Sequence, residues 1–359
     1  MRFGVMLPNY ARWFRDDAIW QVGLKGKEIG LDAFSFVDHI IFTRNQYAGF
    51  GNGYMDIWTA MSYMAAITNA QGWKPILTQS VVDIPYRPAI QQAKVAATVD
   101  SLSGGRLMIG AGAGYVEEEF RALGIDIRKR GEMTHEYLAT MKELWTNQIA
   151  SFHGKYTNFD DMTISVRPTV QPYPPILYGS HGPTPRKHIA SSYQGFIGGP
   201  GRTEETAAAF DADMKDLNAL WKDAGRKGKP FWMTGVNGHL TTDREEAGQT
   251  VTKGVVPAGQ EMPAQRVERV TEGERVYIST FNMKHVDDVV EDLKKQEAMG
   301  LDMAIFWIPS YTFKGMTNQQ LYLQQMETLA QHIMPKFAKS TGPIEMDFDG
   351  TLTQPFASL

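Results

Sequence analysis

The fold is decided by residues 74–120, which read KPILTQSVVDIPYRPAIQQAKVAATVDSLSGGRLMIGAGAGYVEEEF. Ile76–Val82 is a short apolar run rich in β-branched residues, Ala89–Ser101 has apolar residues at helical spacing, and Arg106–Gly110 is a second short apolar run. This pattern predicts one strand-helix-strand unit. Ligands of parallel α/β folds bind at the carboxyl ends of strands, so the loops 80–83 and 110–115 are candidate binding loops.

Composition excludes several classes of protein. The chain has 359 residues, of which 43% are hydrophobic, which is enough for one large α/β barrel or two ordinary domains. The net charge is -4 and the sequence has no run of five or more Lys or Arg residues, so nucleic acid is not an expected partner. Cysteine is absent from the sequence, which excludes disulfides, thiolate metal ligands and thiol catalysis.

The sequence also gives an expectation for location and for metals. The first ten residues, MRFGVMLPNY, lack the long apolar stretch of a signal peptide, and no segment approaches the roughly 20 apolar residues that a membrane span needs. Histidines and carboxylates do not occur at the spacings of known metal motifs. We therefore predict a cytoplasmic protein without a membrane partner and without a metal site.

Strand and helix patterns alternate along most of the chain. Eight strands are predicted, each followed by a helical segment, at Arg2–Leu7, Ala33–Val37, Ile76–Val82, Arg106–Gly110, Ile176–Tyr178, Gln194–Gly198, Phe231–Leu240 and Met303–Trp307. This count predicts an α/β protein of the (β/α)8 TIM barrel type, over residues 1–338 as a single domain with insertions. A doubly wound sheet is the alternative, because periodicity alone cannot show that a sheet closes into a barrel.

Three segments depart from the alternation. Residues 150–166 alternate in polarity around a Gly-containing turn, which predicts an inserted hairpin. Residues 245–275 are rich in Gly, Pro and charge, which predicts an excursion or lid, and residues 339–359 predict an irregular C-terminal tail.

Asp38 and His39 stand where the second predicted strand ends. A single histidine is more often structural than catalytic, but its place at the carboxyl end of a barrel strand makes a catalytic role equally plausible, since histidine titrates near neutral pH. Both interpretations stay open from the residues alone. The acidic run Glu117–Glu119 is interpreted as the solvated N-terminus of a helix, where negative charge is favoured.

Three glycine-rich loops follow predicted strands. Gly110–Gly114 does not match the dinucleotide fingerprint, because Tyr115 stands where its third glycine belongs. The loop is instead interpreted as a place where missing side chains let a flat ring or backbone approach, with a tight turn into the next helix as the alternative. The loops 179–182 and 198–201 precede helices, whose backbone N–H groups could hold a phosphate, or they could be ordinary turns.

Seven collinear motifs together resemble one family, the bacterial-luciferase-like flavin oxidoreductases. They are FGVMLP, FSFVDHI, SVVDIPYRP, AATVDSLSGGRLMIGAGAGYVEEEFRALG, FHGKYTNF, PPILYGS and GFIGG. The segment DSLSGGR before a GxGxG loop is quite specific for that family. The resemblance implies a (β/α)8 barrel with a flavin-type ring at the carboxyl ends of the strands and the cofactor phosphate near the loops after strands five and six. It further implies a non-prolyl cis peptide at Ser80-Val81 behind the ring, and a homodimer packed through helices after the early strands.

The family has two branches that differ in cofactor. One takes reduced FMN from a reductase and inserts oxygen, and the other uses the deazaflavin coenzyme F-420 for hydride transfer. The sequence is similar to the deazaflavin branch at Asp38-His39-Ile40 and at GAGAGYVEEEF, where many FMN monooxygenases carry an Asn-containing motif. It departs from some deazaflavin dehydrogenases at Tyr115, where they carry an acidic proton donor, so a sugar-phosphate dehydrogenase is not implied.

The resemblance therefore implies F-420-dependent hydride transfer on a small organic substrate. The alternatives are an FMN-dependent monooxygenase supplied with reduced cofactor by a reductase partner, and a non-catalytic flavin-binding relative. His39 is the candidate acid/base, followed by Tyr115 and Glu118. The candidate cofactor-binding residues are Asp38, Ser80, Val81, Gly112, Ala113, Gly179, Ser180, Gly199 and Gly201. The aromatic residues that could line a substrate pocket are Trp13, Phe14, Phe42, Tyr47, Phe50, Tyr54 and Trp307.

Overall fold

The structure is a computed structural model that describes most of the chain. The described residues are 1–11, 13–42, 54–179, 182–199, 204–252, 267–271, 274–278, 280–308, 316–348 and 351–352.

Eighteen strands occur in these residues, and most of them are short. In chain order they are β1 Arg2–Met6, β2 Ala33–Phe36, β3 Ile76–Gln79, β4 Val82–Asp83, β5 Leu107–Gly112, β6 Ala150–His153, β7 Asn158–Met162, β8 Ile176–Tyr178, β9 Gly195–Ile197, β10 Phe231–Asn237, β11 His239–Thr241, β12 Thr250–Thr252, β13 Val267–Thr271, β14 Glu274–Ile278, β15 Thr280–His285, β16 Met303–Trp307, β17 Asp347–Phe348 and β18 Thr351–Leu352.

Nine of these described strands form the main sheet. Its order is β3-β2-β1-β16-β10-β9-β8-β5-β4, and β3 also pairs with β5, which closes eight strands into a ring. The recorded pairings are parallel, for example Phe3 with Ala304 between β1 and β16, and Leu77 with Leu107 between β3 and β5. The predicted (β/α)8 TIM barrel is therefore confirmed.

Helices follow the barrel strands. They are α1 Asp16–Glu28, α2 Ile57–Ala70, α3 Ala89–Ser103, α4 Glu117–Ala122, α5 Arg130–Thr146, α6 Pro183–Ser192, α7 Glu204–Asp223, α8 Val286–Ala298 and α9 Asn318–Thr328. Shorter helical turns lie at Ile84–Tyr86, Ile127–Lys129, Leu329–Ile333 and Met334–Lys336. In the described residues no helix combines the length and the apolar character needed to cross a membrane.

The chain divides into two compact units. The first consists of residues 1–35, 41–55 and 235–340, and the second of residues 36–40, 56–234 and 341–359. The first unit contains β1, most of β2, and β16, whose side chains are largely buried. The second contains β3, β5, β8 and β9 with α2 to α7, and it holds most of the residues that were predicted to form the site.

Several strand bounds differ from the predicted ones. The run Ile76–Val82 is not one strand, because β3 ends at Gln79 and β4 begins at Val82. The run Phe231–Leu240 divides into β10 and β11. An interruption of one or two residues leaves the apolar pattern intact, so periodicity could not reveal either break.

The three predicted insertions differ in how far the structure describes them. β6 and β7 pair antiparallel as a hairpin within residues 150–166. Much of the excursion 245–275 lies outside the described residues, although β12, β13 and the start of β14 fall within it. The assignment of residues 1–338 to a single domain stays a prediction.

The tail 339–359 was predicted to be irregular, and this is wrong for its middle part. β17 and β18 pair antiparallel, and Phe348 is buried. The Arg226 guanidinium donates from Nε to Oδ1 of Asp347 at 2.6 Å, and both side chains are buried. Arg226 and Asp347 are 121 positions apart in the sequence, and a contact over that distance leaves no periodic pattern. The hydrophobic pattern therefore predicted only an irregular segment.

The family-specific segment DSLSGGR forms a buried polar cluster at the start of β5. Arg106 donates to the carbonyls of Ser103 and Pro75 at 2.6 and 2.8 Å and to Asn69 Oδ1 at 2.8 Å. The Asp100 carboxylate accepts from the backbone N–H groups of Thr169 and Val170 at 2.7 and 3.0 Å. We call Thr68, Asn69, Asp100, Ser103 and Arg106 the Arg106 cluster. It ties the ends of α2 and α3 to β5, so the motif has a structural explanation.

Candidate active site

The Ser80-Val81 segment lies between β3 and β4 at the carboxyl ends of the strands. Its peptide bond is cis, as the family resemblance implied. β4 continues alongside β5, with Val82 opposite Ala111 and Asp83 opposite Gly112. Thr78 pairs with Met108 and Val82 with Ala111, so the segment contains one residue more than β5 over the same stretch and is a bulge.

Gly112 and Gly179 make room for the Val81 side chain. A Cβ at Gly112 would lie 2.2 Å from Val81 Cγ2, and a Cβ at Gly179 would lie 2.7 Å from Val81 Cγ1. Both distances are far below van der Waals contact, so neither position accepts a side chain while Val81 stays in place. The loop 110–114 was predicted to let a flat ring or backbone approach, or to be a tight turn, and at Gly112 the group that approaches is the Val81 side chain.

The segments beside this bulge carry the residues that could support a planar cofactor ring. Ser80, Val81, Ala113 and Gly114 are all partly exposed, while β5 beneath them is buried. These four positions present backbone, one isopropyl group and small side chains. A flavin or deazaflavin ring needs such a surface to lie against, so the residues fit the cofactor that the family implies.

Two of the four predicted phosphate-binding positions, Gly179 and Gly199, lie in the described residues. The backbone N–H of Gly179 donates to the carbonyl of Ala111 at 2.8 Å, so this N–H is already used by the sheet and the role predicted for it is wrong. Gly199 is half-buried just after β9. Ser180 and Gly201 lie outside the described residues. Gly199 is accordingly the described position on which the predicted phosphate site now rests.

His39 is paired with Glu119. Nδ1 of His39 lies 2.9 Å from Oε2 of Glu119, and the second carboxylate oxygen accepts from the backbone N–H of Ile40 at 2.5 Å. The residues are 8% and 1% exposed. A carboxylate at Nδ1 keeps the proton of the neutral imidazole on that nitrogen and leaves the basic lone pair on Nε2. The pair has the geometry of a general acid/base whose ring is held by a carboxylate.

Tyr115, the next catalytic candidate, lies beside the same histidine. Its ring is edge-on to the His39 ring, with centroids 6.0 Å apart, and the side chain is 48% exposed. An exposed phenol in van der Waals range of an imidazole can contact a substrate that the imidazole also reaches. The structure therefore brings two of the three predicted catalytic residues together.

Glu118 was predicted as the third catalytic candidate, and the structure places Glu119 against His39 instead. Glu118 is half-buried and Glu117 is exposed. Val116, Glu119 and Phe120 are all buried, at 4%, 1% and 1% exposure, which is the i, i+3, i+4 pattern of one helix face. That spacing was visible in the sequence, and it could have singled out Glu119 from the acidic run.

Asp38 was predicted to bind the cofactor, but its carboxylate is used within the protein. Arg87 donates from Nη1 to Oδ2 at 2.7 Å and from Nη2 to Oδ1 at 2.9 Å, a bidentate pair. The backbone N–H of Asp83 also donates to Oδ2, at 3.1 Å. Asp38 is 4% exposed, so its role is to fix the end of β2 next to His39.

Asp83 is a third buried carboxyl group beside those of Asp38 and Glu119, and it is 3% exposed. Burial raises the pKa of this carboxyl well above its usual range, and the nearby charges of Asp38 and Glu119 raise it further. The pKa of the neighbouring phenol, Tyr86, is also raised, first by burial and then by the charges of Asp83 and Glu119. We call Asp38, His39, Asp83, Arg87 and Glu119 the Asp83 cluster.

The predicted pocket aromatics belong to the first unit. Trp307 donates from Nε1 to the Tyr10 hydroxyl at 3.0 Å, and the Phe42 and Tyr54 rings pack at 4.9 Å between centroids. Burial raises the pKa of Tyr10 to about 12, against the opposing effect of the Trp307 hydrogen bond. Trp13 and Phe14 pack edge-on to each other at 5.9 Å. Tyr47 and Phe50 lie outside the described residues.

Fold and site together define a (β/α)8 barrel with a buried imidazole–carboxylate pair at the carboxyl end of β2. Residues 18–296 match the luciferase-like monooxygenase family, and the chain belongs to that family.

Curated relatives use both kinds of cofactor. The chain is 35% identical over 98 residues to an FMNH(2)-dependent dimethylsulfone monooxygenase of Pseudomonas putida, covering 26% of this chain and 27% of that protein. It is 29% identical over 183 residues to an F420-dependent glucose-6-phosphate dehydrogenase of Amycolatopsis mediterranei, covering 49% of this chain and 51% of that protein. The matches therefore span about half or less of these relatives' length.

A solved structure agrees over nearly the whole chain. The monooxygenase RslO1 from Streptomyces bottropensis superposes with a TM-score of 0.71, covering 94% of this chain and 100% of that one, at 18% identity. At this identity the likeness concerns the fold alone.

Proposed function

We propose that the protein is an oxidoreductase that transfers a hydride between coenzyme F-420 and a small organic substrate. The observation that carries this proposal is the buried His39–Glu119 pair at the carboxyl end of the barrel strands. Redox of an alcohol, a carbonyl or an activated double bond moves a proton together with the hydride. A positioned acid/base contributes roughly 10²–10⁴-fold to such a step.

Seven residues of the second unit have a part in this proposal. Val81, Ala113 and Gly114 support the ring. Glu119 holds the imidazole by Nδ1, and His39 exchanges a proton with a substrate oxygen through Nε2. Arg87 and Asp38 fix the backbone that carries His39. A bound deazaflavin would supply a carbon that accepts or gives a hydride.

Oxygen insertion with reduced FMN is the second candidate. The similarity to the dimethylsulfone monooxygenase favours it, as the similarity to the F420-dependent dehydrogenase favours the first. The second candidate needs a reductase partner that delivers reduced FMN, whereas the first does not need a partner of this kind. A non-catalytic flavin-binding protein is the outcome if neither activity is found.

Cofactor binding separates these candidates. Purified protein is titrated with F-420, with FMN and with reduced FMN under anaerobic conditions, and binding is followed by absorbance and fluorescence. We expect F-420 to bind more tightly than either form of FMN. Candidate alcohols and carbonyl compounds are then added, and a change in the F-420 absorbance shows hydride transfer. Exclusive binding of reduced FMN with oxygen uptake would establish the second candidate.

The catalytic role of His39 is tested with the cofactor that binds. His39→Ala should lose turnover while keeping cofactor affinity, because the imidazole acts on the substrate. Unchanged turnover would show that the histidine is structural, and the acid/base role would then pass to Tyr115.

Oligomeric state and location stay proposals that the family resemblance and the sequence suggest. We propose a cytoplasmic homodimer that packs through the helices after the early barrel strands. Light scattering at micromolar concentration should give twice the mass of the chain, and a monomer at that concentration would contradict the dimer.

A further inference from the structure

Asp83 is a buried carboxyl group that the proposed mechanism does not use. It ends β4 and lies beside Gly112 of β5. The charged groups that face it come from three directions: Asp38 at the end of β2, Glu119 on α4, and Arg87 after the short turn Ile84–Tyr86. β5 itself, with the sequence LMIGAG, contributes no titratable side chain.

The other two carboxylates of the Asp83 cluster have charge-compensating partners. Asp38 has the bidentate Arg87 guanidinium and one backbone N–H. Glu119 has the His39 imidazole and the Ile40 N–H. In the described part of the chain no cation pairs with Asp83, and the donor that faces its carboxyl is the backbone N–H of Gly114.

An ionised Asp83 would be the third negative charge in a space that water hardly reaches. All three carboxyl side chains are less than 5% exposed, at 4%, 3% and 1% for Asp38, Asp83 and Glu119. Desolvation and like charges both disfavour ionisation, and one backbone N–H together with an already paired guanidinium does not offset them. The pKa of Asp83 is raised accordingly, with burial as the first cause.

We propose that Asp83 holds a proton at neutral pH and so sets the charge of the His39–Glu119 pair. With Asp83 neutral, Glu119 carries the negative charge nearest to His39, and the pair can take up and release one proton. An ionised Asp83 would add a second negative charge, strengthen proton binding by His39 and make it a weaker acid. Asp83 is thus a positioning residue that acts through the pair.

The protonation state can be observed without cofactor or substrate. Infrared spectra of the wild type near pH 7 should contain the C=O stretch of a protonated carboxylic acid, and Asp83→Asn should lose that band. Asp126→Asn is the matched control, because the Arg128 side chain and backbone lower the pKa of Asp126 to about 2 and that residue is ionised throughout. A wild-type spectrum without the band, or a band whose intensity Asp83→Asn leaves unchanged, overturns the proposal.

A second variant keeps the proposal testable if Asp83→Asn does not fold. Glu119→Gln removes one of the two negative charges that face Asp83. The pH at which the wild-type band disappears should therefore move lower in Glu119→Gln. An unchanged midpoint would show that the cluster does not hold the proton in the way proposed.

Stability against pH gives an independent reading. A carboxyl whose pKa is higher in the folded state binds more protons there than in the unfolded chain, so the free energy of unfolding falls as pH rises above about 4, the usual value of the group. Asp83→Asn removes this fall, so the variant should gain stability relative to the wild type between pH 4 and 8. Parallel curves for the two proteins would contradict the proposal.

The consequence for activity rests on the proposed function. Asp83→Asn should change the alkaline limb of the pH–rate profile, since no charge can then appear beside the pair. If the wild type shows no hydride transfer, the proposed function is refuted. The infrared band would still decide whether Asp83 is protonated.

Discussion

β5 has a buried polar cluster at each end, and the two clusters are balanced differently. At its start, Arg106 makes hydrogen bonds to neutral acceptors, and Asp100 accepts from backbone N–H groups. At its end, Asp83 stands next to two carboxylates, with one guanidinium and one imidazole to balance all three. The Arg106 cluster is satisfied by neutral backbone and side-chain groups, whereas the Asp83 cluster contains groups that can exchange a proton.

The difference separates two uses of buried charge. Burial lowers the pKa of Arg106 to about 10, so the guanidinium stays protonated at neutral pH. Burial raises the pKa of Asp100, and the three backbone N–H groups that it accepts from offset only part of that rise. We therefore do not expect Arg106 or Asp100 to exchange a proton during turnover. The Asp83 cluster, in contrast, contains a histidine and a crowded set of carboxyls, which is the arrangement found where proton transfer is needed.

The largest expected effect is on turnover, from Glu119. Glu119→Ala should lower turnover by roughly 10²–10⁴-fold, because His39 loses the group that fixes its tautomer and ring. Glu117→Ala, exposed on the same helix, is the control and should leave turnover unchanged. Steady-state kinetics with the identified cofactor make the measurement. A Glu119→Ala enzyme that turns over like the control would show that the pair is only structural.

The next effect is on stability, from Arg87. Arg87→Met leaves the buried Asp38 carboxylate unpaired and should cost about 3–5 kcal/mol of unfolding free energy. Asp56→Asn removes the exposed partner of the same arginine, 3.2 Å from Nη2, and should cost at most about 1 kcal/mol. Urea unfolding of both variants, and of Arg87→Met combined with Asp38→Asn, gives the comparison. If the double variant is no more stable than Arg87→Met, the unpaired carboxylate is not the cause.

A variant of Arg106 tests whether the cluster at the start of β5 contributes to stability alone, while the cluster at its end contributes to turnover. Arg106→Lys keeps the charge but cannot reach all of the acceptors, and it should cost about 2–3 kcal/mol through the carbonyls left unpaired. Turnover per folded molecule should not change. Thermal unfolding and turnover are measured on the same preparation. A loss of turnover comparable with that of Glu119→Ala would contradict the distinction between a structural Arg106 cluster and a catalytic Asp83 cluster.

Much of this arrangement could be predicted from the sequence, and the remainder depends on long-range contacts. Alternating strand and helix patterns gave the barrel, and the position of His39 at a strand end made it a candidate. Glu119 pairs with His39 across 80 positions of the chain, and Asp38 accepts from Asp83 across 45. No local pattern encodes such contacts. The solvated-terminus interpretation of the acidic run was sound for Glu117 and wrong for Glu119, because only the inward face of α4 is buried.

The role of the glycines could not be predicted for a related reason. A glycine in the sequence permits a close approach, but it shows neither that one occurs nor which group approaches. At Gly112 and Gly179 the approaching group is Val81, brought there by the bulge between β3 and β4. A ring that lies on this surface therefore contacts Val81 and the backbone and does not enter the glycine loop itself.

The smallest expected effect comes from Gly112, and it tests this last point. The new Cβ in Gly112→Ala would lie 2.2 Å from Val81 Cγ2 and 3.3 Å from Asp83 Oδ1, so Val81 must move. We expect a loss of about 1–3 kcal/mol in unfolding free energy and weaker cofactor binding. Val81→Ala in the same chain frees the space and should restore stability. Gly131→Ala is the control, because a Cβ there meets no atom within 4 Å. If Gly112→Ala is as stable as the control and binds cofactor normally, the bulge does not support the ring. The site at the end of β5 would then consist of the Asp83 cluster alone.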